Sequence, residues 1–309
     1  MHRATDDRAI DDAVATLRAG ELVAIPTETV YGLAADASSD QAVAKIFATK
    51  GRPTGHPLIV HIASVDELSR WAATPIPETA MQLGRAFWPG PLTIIVRRSS
   101  LVSAAVTGGR DTVGIRVPDH PLTLELLRRF DGGVAAPSAN RFGRVSPTTA
   151  HDVEAEFDGH VLVLDGGPCR VGVESTIVDT TVEPIVVLRP GAVTAEQIEA
   201  VLGRPVERTA QGPSRAPGML ASHYAPNATV ELVDAATLEP RAEALRADGT
   251  RVVTIHPHVA VEEYARSLYG WLRAADRDGA DVVLAVPPAD EGLGAAVCDR
   301  LRKAAGPRS

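Results

Sequence analysis

The chain is poor in cysteine and in aromatic residues. Its 309 residues include two cysteines, and aromatics make up 4%. Cys169 and Cys298 lie far apart, so there is no CxxC pair, zinc-ligand spacing or disulfide framework, and both read as free thiols. No protein-borne metal site is expected. The scarcity of aromatics argues against a nucleic-acid surface that stacks bases on rings. Positive charge is not in excess either. The formal net charge is −8, which disfavours a dedicated nucleic-acid binder but allows a local basic cleft for an anionic substrate. Long hydrophobic runs are missing. The longest are strand-sized, such as residues 57–62, far below the ~20 apolar residues of a membrane span. The first residues carry no apolar signal-peptide core, which gives the expectation of a cytoplasmic protein with no membrane partner. The chain has no Gly-Lys dipeptide and therefore no Walker A loop. GxSxG and HExxH are absent as well. Gly292-Leu293-Gly294 lacks a third glycine and reads as helix entry rather than a dinucleotide loop.

What remains is an ordinary globular composition, 45% hydrophobic and 23% charged. The length calls for two domains or one large α/β domain. Ile10, Val14 and Leu17 have helical spacing, with Gly20 as the stop. Residues 21–26 read as a strand. Ser39 and Asp40 open a helix carrying Val43, Ile46 and Phe47. Residues 57–62, 92–97, 112–117, 133–136, 161–165, 174–179 and 184–189 read as strands. Helical patterns fall near 64–72, 77–87, 120–130, 148–157 and 194–202. This alternation predicts an α/β fold around a large twisted mixed sheet.

Residues 203–222 then lose all periodicity and gather glycine and proline. The stretch is long for a connection inside a compact domain, so it is expected to span or cover something. Strands at 229–233, 251–255 and 282–286 follow, alternating with helices near 236–247, 261–277 and 291–304. They predict a small Rossmann-like domain with a parallel sheet. The expected division is 1–204 for the large domain, 205–228 for the linker and 229–309 for the small domain.

Polar stretches sit at the predicted strand ends, where open α/β sheets bind ligands. Pro26–Leu33 contains Thr29 and serves equally well as a turn or a helix cap. Lys50-Gly51-Arg52-Pro53 has the makings of an ordinary helix stop. With His56 close by, its two cations could also clasp a polyphosphate. His61 lies in an apolar strand, either as a satisfied core group or as a ligand contact. Arg116 is flanked by apolar residues and must have an anionic partner, because an unpaired buried charge is costly. That partner is either a structural carboxylate or a ligand. Ala136 to Asn140 end a strand with small residues that let a ligand approach the backbone. Ser146, Ser175 and Arg189 lie on further connections. Lys50, Arg52, Arg116 and Arg189 with several hydroxyls suit a small anionic substrate and a nucleotide phosphate chain.

Together these stretches resemble the YrdC-like family of threonylcarbamoyl-AMP synthases in its long two-domain form. The matching segments are PTETVYGLAADA (26–37), IFATKGRP (46–53), HPLIVHI (56–62), FWPGPLT (87–93), DTVGIRVPDHP (111–121), APSAN (136–140), SPT (146–148), DGG (165–167), GVESTIVD (172–179) and LRPG (188–191). Residues 216–219 and 223–227 resemble the interdomain signature of the long form. The resemblance implies that L-threonine, bicarbonate or CO₂, and ATP give L-threonylcarbamoyl-AMP and pyrophosphate. The product would pass to a tRNA threonylcarbamoyl-transferase complex that makes N6-threonylcarbamoyladenosine, with a weak direct tRNA contact as a further expectation. It places Lys50 and Arg52 in the catalytic K-x-R element and Ser138 and Asn140 in the S-x-N element. Threonine would meet Thr29, His61, Arg116, Ala136 and Ser175, with Arg116 offering a two-pronged grip on its carboxylate. ATP would meet Arg52, His56, Thr112, Ser138, Asn140, Ser146, Arg189 and Tyr224, and Mg²⁺ would be bound through its phosphates. His56 departs from the family pattern, where asparagine is common. Carbamoyl-adenylate formation on the same fold and an RNA-binding module are the alternative readings.

Overall fold

The structure is a computed structural model describing residues 7–208, 224–256 and 259–307. The first part begins with helix α1 (Asp7–Arg18), strands β1 (Val23–Ile25) and β2 (Gly32–Asp36), helix α2 (Asp40–Lys50) and strand β3 (Ile59–His61). Helices α3 (Leu68–Trp71) and α4 (Glu78–Phe87), strand β4 (Leu92–Arg97), helix α5 (Ala104–Thr107) and strand β5 (Thr112–Arg116) follow. Then come α6 (Pro121–Phe130), β6 (Val134–Ala135), α7 (Ala150–Phe157), β7 (Leu162–Val163), β8 (Thr176–Asp179), β9 (Val186–Arg189), α8 (Ala195–Leu202) and β10 (Glu207–Arg208). The second part holds β11 (Thr229–Leu232), α9 (Leu238–Ala247), β12 (Val252–Ile255), α10 (Val261–Arg277), β13 (Val282–Ala285) and α11 (Leu293–Ala304).

Local sequence explains most of these boundaries. In α1 the buried Ala9, Ile10, Ala13, Val14 and Leu17 form one apolar stripe. Ser39 caps α2 by accepting from the Ala42 amide, and Gly51 closes it at φ 61°. Strand β4 buries five consecutive residues, Leu92–Val96, as a strand covered on both faces must.

Ten strands form one mixed sheet in the order β10-β9-β8-β4-β5-β3-β6-β2-β1-β7. Parallel pairs (β3 with β5, β4 with β8) alternate with antiparallel ones (β4 with β5, β3 with β6). Three elements escaped the sequence reading. Strand β2 falls in the polar stretch 26–37; it pairs with β1 and buries Gly32–Ala35 on both faces, so no alternation marks it. Helix α5 is a single turn. Strand β10 pairs with β9, which carries the first sheet beyond the expected limit at residue 204. The expected helix at 64–72 begins as a 3-10 turn at Val65–Glu67. The second sheet is all parallel, in the order β11-β13-β12.

Most of the expected covering linker, including His223, lies outside the described residues. Residues 225–227 lie against the large domain: the Ala225 amide donates to Gly143 O at 3.0 Å, and Arg144 donates to Asn227 at 2.7 Å. The two domains share a core. Val30, Val145 and Val173 of the first pack with Tyr224 and with Tyr264, Leu268, Tyr269 and Leu301 of the second. Helix α10 comes so close that a Cβ at Gly172, which sits at φ 83°, would lie 2.4 Å from Arg266 Cα. Among the described residues no helix is long and apolar enough to cross a membrane.

Candidate active site

A cleft opens where strands β3, β5, β6, β8 and β9 end. Thr27, Thr29, Val30, Gly32, Arg52, Ile59, His61, Arg116, Ala136, Pro137, Ser138, Glu174, Ser175, Arg189 and Tyr224 line it. All five residues expected at threonine are there. Of those expected at ATP, Arg52, Ser138, Arg189 and Tyr224 are there.

The turn between β1 and β2 is built by Thr27. Its hydroxyl accepts from the Thr29 and Val30 amides at 3.1 and 3.2 Å and donates to Val30 O at 2.7 Å. The Thr29 hydroxyl lies 2.8 Å from it, a bond that either oxygen can donate. His61 Nδ1 lies 3.3 Å from Ile59 O, which fixes Nδ1 as the protonated nitrogen and Nε2 as an acceptor. Burial, reinforced by the Arg116 charge, pulls the His61 pKa down to about 3, so the ring is neutral.

Arg116 finds a structural carboxylate. Its Nη2 sits 2.7 Å from Glu28 Oε1, with both side chains buried, and its Nε donates to Gly90 O at 3.2 Å. Glu28 Oε2 in turn accepts from the Asp119 amide at 3.1 Å. Of the two partners that the sequence allowed for Arg116, a structural carboxylate is thus present, and Arg116 also lines the cleft. Glu28 was not singled out, although the need of Arg116 for an anion was the signal for it.

Arg189 clasps Ser175, donating from Nε to its carbonyl at 3.0 Å and from Nη2 to its hydroxyl at 3.1 Å. Thr93 holds that hydroxyl from the other side at 2.8 Å. The clasp needs Gly191, since a Cβ there would lie 2.3 Å from the Thr176 amide nitrogen. Arg52 donates to Pro57 O at 3.1 Å and stands over the Phe142 ring at 5.6 Å. Burial brings its pKa down to about 10, which leaves it cationic at neutral pH.

Five expected contacts do not line the cleft. Lys50 turns its ammonium away, onto the carbonyls of Ser138 (2.6 Å) and Asn140. Burial and the neighbouring Arg52 charge press its pKa well below the ordinary lysine value. Its place is behind the S-x-N turn, which it braces. Asn140 stiffens the same turn from within, donating to the carbonyls of Arg141 and Arg144 at 2.8 and 2.9 Å. Ser146 donates to Glu174 at 2.6 Å. His56 is half-buried, edge-on to Phe142 at 5.4 Å. Thr112 is half-buried at the start of β5.

Glu174, the carboxylate that lines the cleft, is saturated with donors. It takes Ser146 on Oε1, and Tyr269 and Arg300, each at 2.8 Å, on Oε2. Burial alone would raise its pKa, but the charges of Arg300 and Arg189 outweigh it and hold it at about 2. No group of His, Cys, Asp and Glu among the described residues is placed to hold a metal ion.

An open mixed sheet with three buried arginines and a cluster of hydroxyls at its strand ends defines an α/β enzyme of small anionic substrates. Comparison with known proteins narrows this class. The Sua5/YciO/YrdC family model, described as "Telomere recombination", matches residues 15–191. A second model, "Threonylcarbamoyl-AMP synthase, C-terminal domain", matches residues 193–306. The threonylcarbamoyl-AMP synthase of Pyrococcus abyssi is 44% identical, across 96% of this chain and 94% of that protein. The Bacillus subtilis enzyme of the same name is 41% identical, across 98% and 95%. The crystal structure of P. abyssi Sua5 complexed with L-threonine superposes with a TM-score of 0.91 at 43% identity, covering 96% of this chain and 94% of that one. The chain belongs to the threonylcarbamoyl-AMP synthase family in its two-domain form.

Proposed function

We propose that the chain converts L-threonine, bicarbonate or CO₂, and ATP into L-threonylcarbamoyl-AMP and pyrophosphate, for use by the enzymes that modify tRNA. The observation that carries this reading is the joint presence, in one cleft, of a hydroxyl-rich pocket and a row of buried arginines. The pocket of Thr29, His61 and Ser175 suits the threonine side chain and amine, with Arg116 for its carboxylate and the Ala136 backbone for close approach. Arg52 and Arg189 suit the phosphates, with Ser138 and Tyr224 alongside. The threonine amine adds to CO₂, and a carbamate oxygen then attacks the α-phosphorus as pyrophosphate leaves. The chain needs no nucleophile of its own for this; the cleft contributes positioning and fixed positive charge. Glu28 and Glu174 are engaged with arginines, so neither offers a carboxylate to a cation, and Mg²⁺ would enter on the ATP phosphates.

Pyrophosphate release from ATP with bicarbonate tests the reading. Threonine should support turnover, serine more weakly, and valine not at all, because valine leaves the pocket's polar groups unpaired. Equal turnover with valine would contradict the pocket assignment, and no pyrophosphate release at all would favour a binding module. On the nucleotide side, Arg52→Ala should lower ATP affinity about tenfold to a hundredfold through loss of a charge-assisted bond. Calorimetric titration of ATP into that variant reads the change, and an undiminished affinity would remove Arg52 from the phosphate site.

A further inference from the structure

Two side chains of the second domain reach the cleft of the first without lining it. Tyr269 on α10 and Arg300 on α11 are both fully buried, and both bond Glu174 Oε2 at 2.8 Å. Arg300 also reaches the Glu174 carbonyl at 3.4 Å. The same two residues enclose Tyr224: the Tyr269 ring stacks on it at 5.7 Å and 27°, and the Arg300 guanidinium stands 5.4 Å over it. Glu174 and Tyr224 both line the cleft. Tyr224 sits at φ 63°, a backbone region that a bulky residue holds only when its surroundings enforce it. Two of the contacts around it, the Tyr269 ring and the Arg300 guanidinium, come from the second domain.

We propose that Tyr269 and Arg300 are positioning residues for the nucleotide side of the cleft, acting through Glu174 and Tyr224. This rests on the function proposed above. The Glu174 carboxylate joins three separately folded pieces: the loop carrying Ser146, helix α10 and helix α11. Its chain neighbour Ser175 is the residue that Arg189 clasps. Loosening the carboxylate therefore loosens the Ser175 carbonyl that Arg189 Nε holds, while the Ser175 hydroxyl stays on Thr93, and loosening the rings shifts Tyr224. The threonine side is buffered, because Thr93 holds the Ser175 hydroxyl independently of the second domain. These two contacts of the second domain are thus read out as nucleotide affinity rather than as chemistry. Interactions that hold ground state and transition state alike change KM and leave kcat alone.

The test uses the full chain with Tyr269→Phe, which deletes one hydroxyl and keeps the ring stack, and Arg300→Lys, which keeps the charge and loses the planar fork. Arg266→Ala is the control. It removes another bond from the same domain interface, to Arg170 O at 3.0 Å, without touching Glu174 or Tyr224. Steady-state pyrophosphate release should show the KM for ATP rising about fivefold to tenfold in Tyr269→Phe and Arg300→Lys. In both, kcat and the KM for threonine should stay within about twofold, and Arg266→Ala should resemble the unaltered chain. An equal rise in Arg266→Ala would reduce the effect to ordinary docking and overturn the proposal. An unchanged KM for ATP, or a matching rise for threonine, would overturn it too. If Arg300→Lys does not fold, Tyr269→Phe decides alone. Should the unaltered chain release no pyrophosphate, the functional reading fails, and ATP titration calorimetry on the same variants decides the positioning claim by itself.

Discussion

Replacing Arg116 with alanine should cost about 3–5 kcal/mol of stability, because the substitution strands Glu28 as a buried, unpaired carboxylate. In a unit of this size about 2–4 °C of melting temperature goes with each kcal/mol, so a drop of roughly 10 °C is expected. Threonine binding should weaken as well, about tenfold or more, through loss of the guanidinium proposed to hold the threonine carboxylate. The two effects are separable. Pairing Arg116→Met with Glu28→Gln removes both charges together, and it should recover most of the stability while threonine affinity stays low. Thermal unfolding and threonine calorimetry on the single and double variants give the answer. A stable Arg116→Ala would show that the Glu28 contact carries little, and intact threonine binding would take Arg116 out of the amino-acid site. Loss of ATP affinity with threonine affinity retained would reverse the division of roles between Arg116 and Arg52.

Ending the chain after residue 208 should leave a folded large domain with turnover lowered about a hundredfold, the loss typical of a small misplacement at a reacting centre. Folding should survive because residues 7–208 keep the whole ten-stranded sheet and its own buried clusters. The cut belongs after 208 rather than at 205, since Val206 is buried in the main core and β10 pairs with β9. Activity should fall because Tyr224 is gone and Val30, Val145 and Val173 lose the core they share with the second domain. A cleft so opened also exposes a hydrolysis-prone acyl-adenylate to water. Circular dichroism checks folding, and pyrophosphate release with the lifetime of the adenylate checks function. A truncated chain as active as the full one, with an equally long-lived product, would leave the second domain no part in catalysis.

The elements that the sequence made legible are those whose signals are local. Helix α10 spans the very residues that its apolar spacing marked, 261–277, and β11, β12 and β13 fall within the three predicted strands. The mixed large sheet and the small parallel sheet follow from the same alternation of helix and strand. Strand β2 was missed because four of its five residues are buried, which erases the period of two. At the site, the residue types were legible but their directions were not. Arg52 and Lys50 are two positions apart in one motif, yet Arg52 lines the cleft and Lys50 braces a turn behind it. Serines 138, 146 and 175 looked alike as loop hydroxyls; two face the cleft, and Ser146 is spent on Glu174.

By itself, then, the sequence determined the two-domain α/β plan, the family and a pool of cations and hydroxyls suited to an anionic substrate. The plan and the pool rest on periodicity and turn chemistry, and the family on the resemblance of its short motifs; all of these involve residues near one another in the chain. Only the tertiary structure decided which members of that pool meet, and on what. Glu28 reaches Arg116 from another strand end, and Glu174 is held by side chains 95 and 126 residues further along. Such pairings are set by how sheets and helices pack, and a buried charge takes whichever partner that packing delivers. No local pattern marks them, because the desolvation that makes the pairing necessary exists only once the chain has folded.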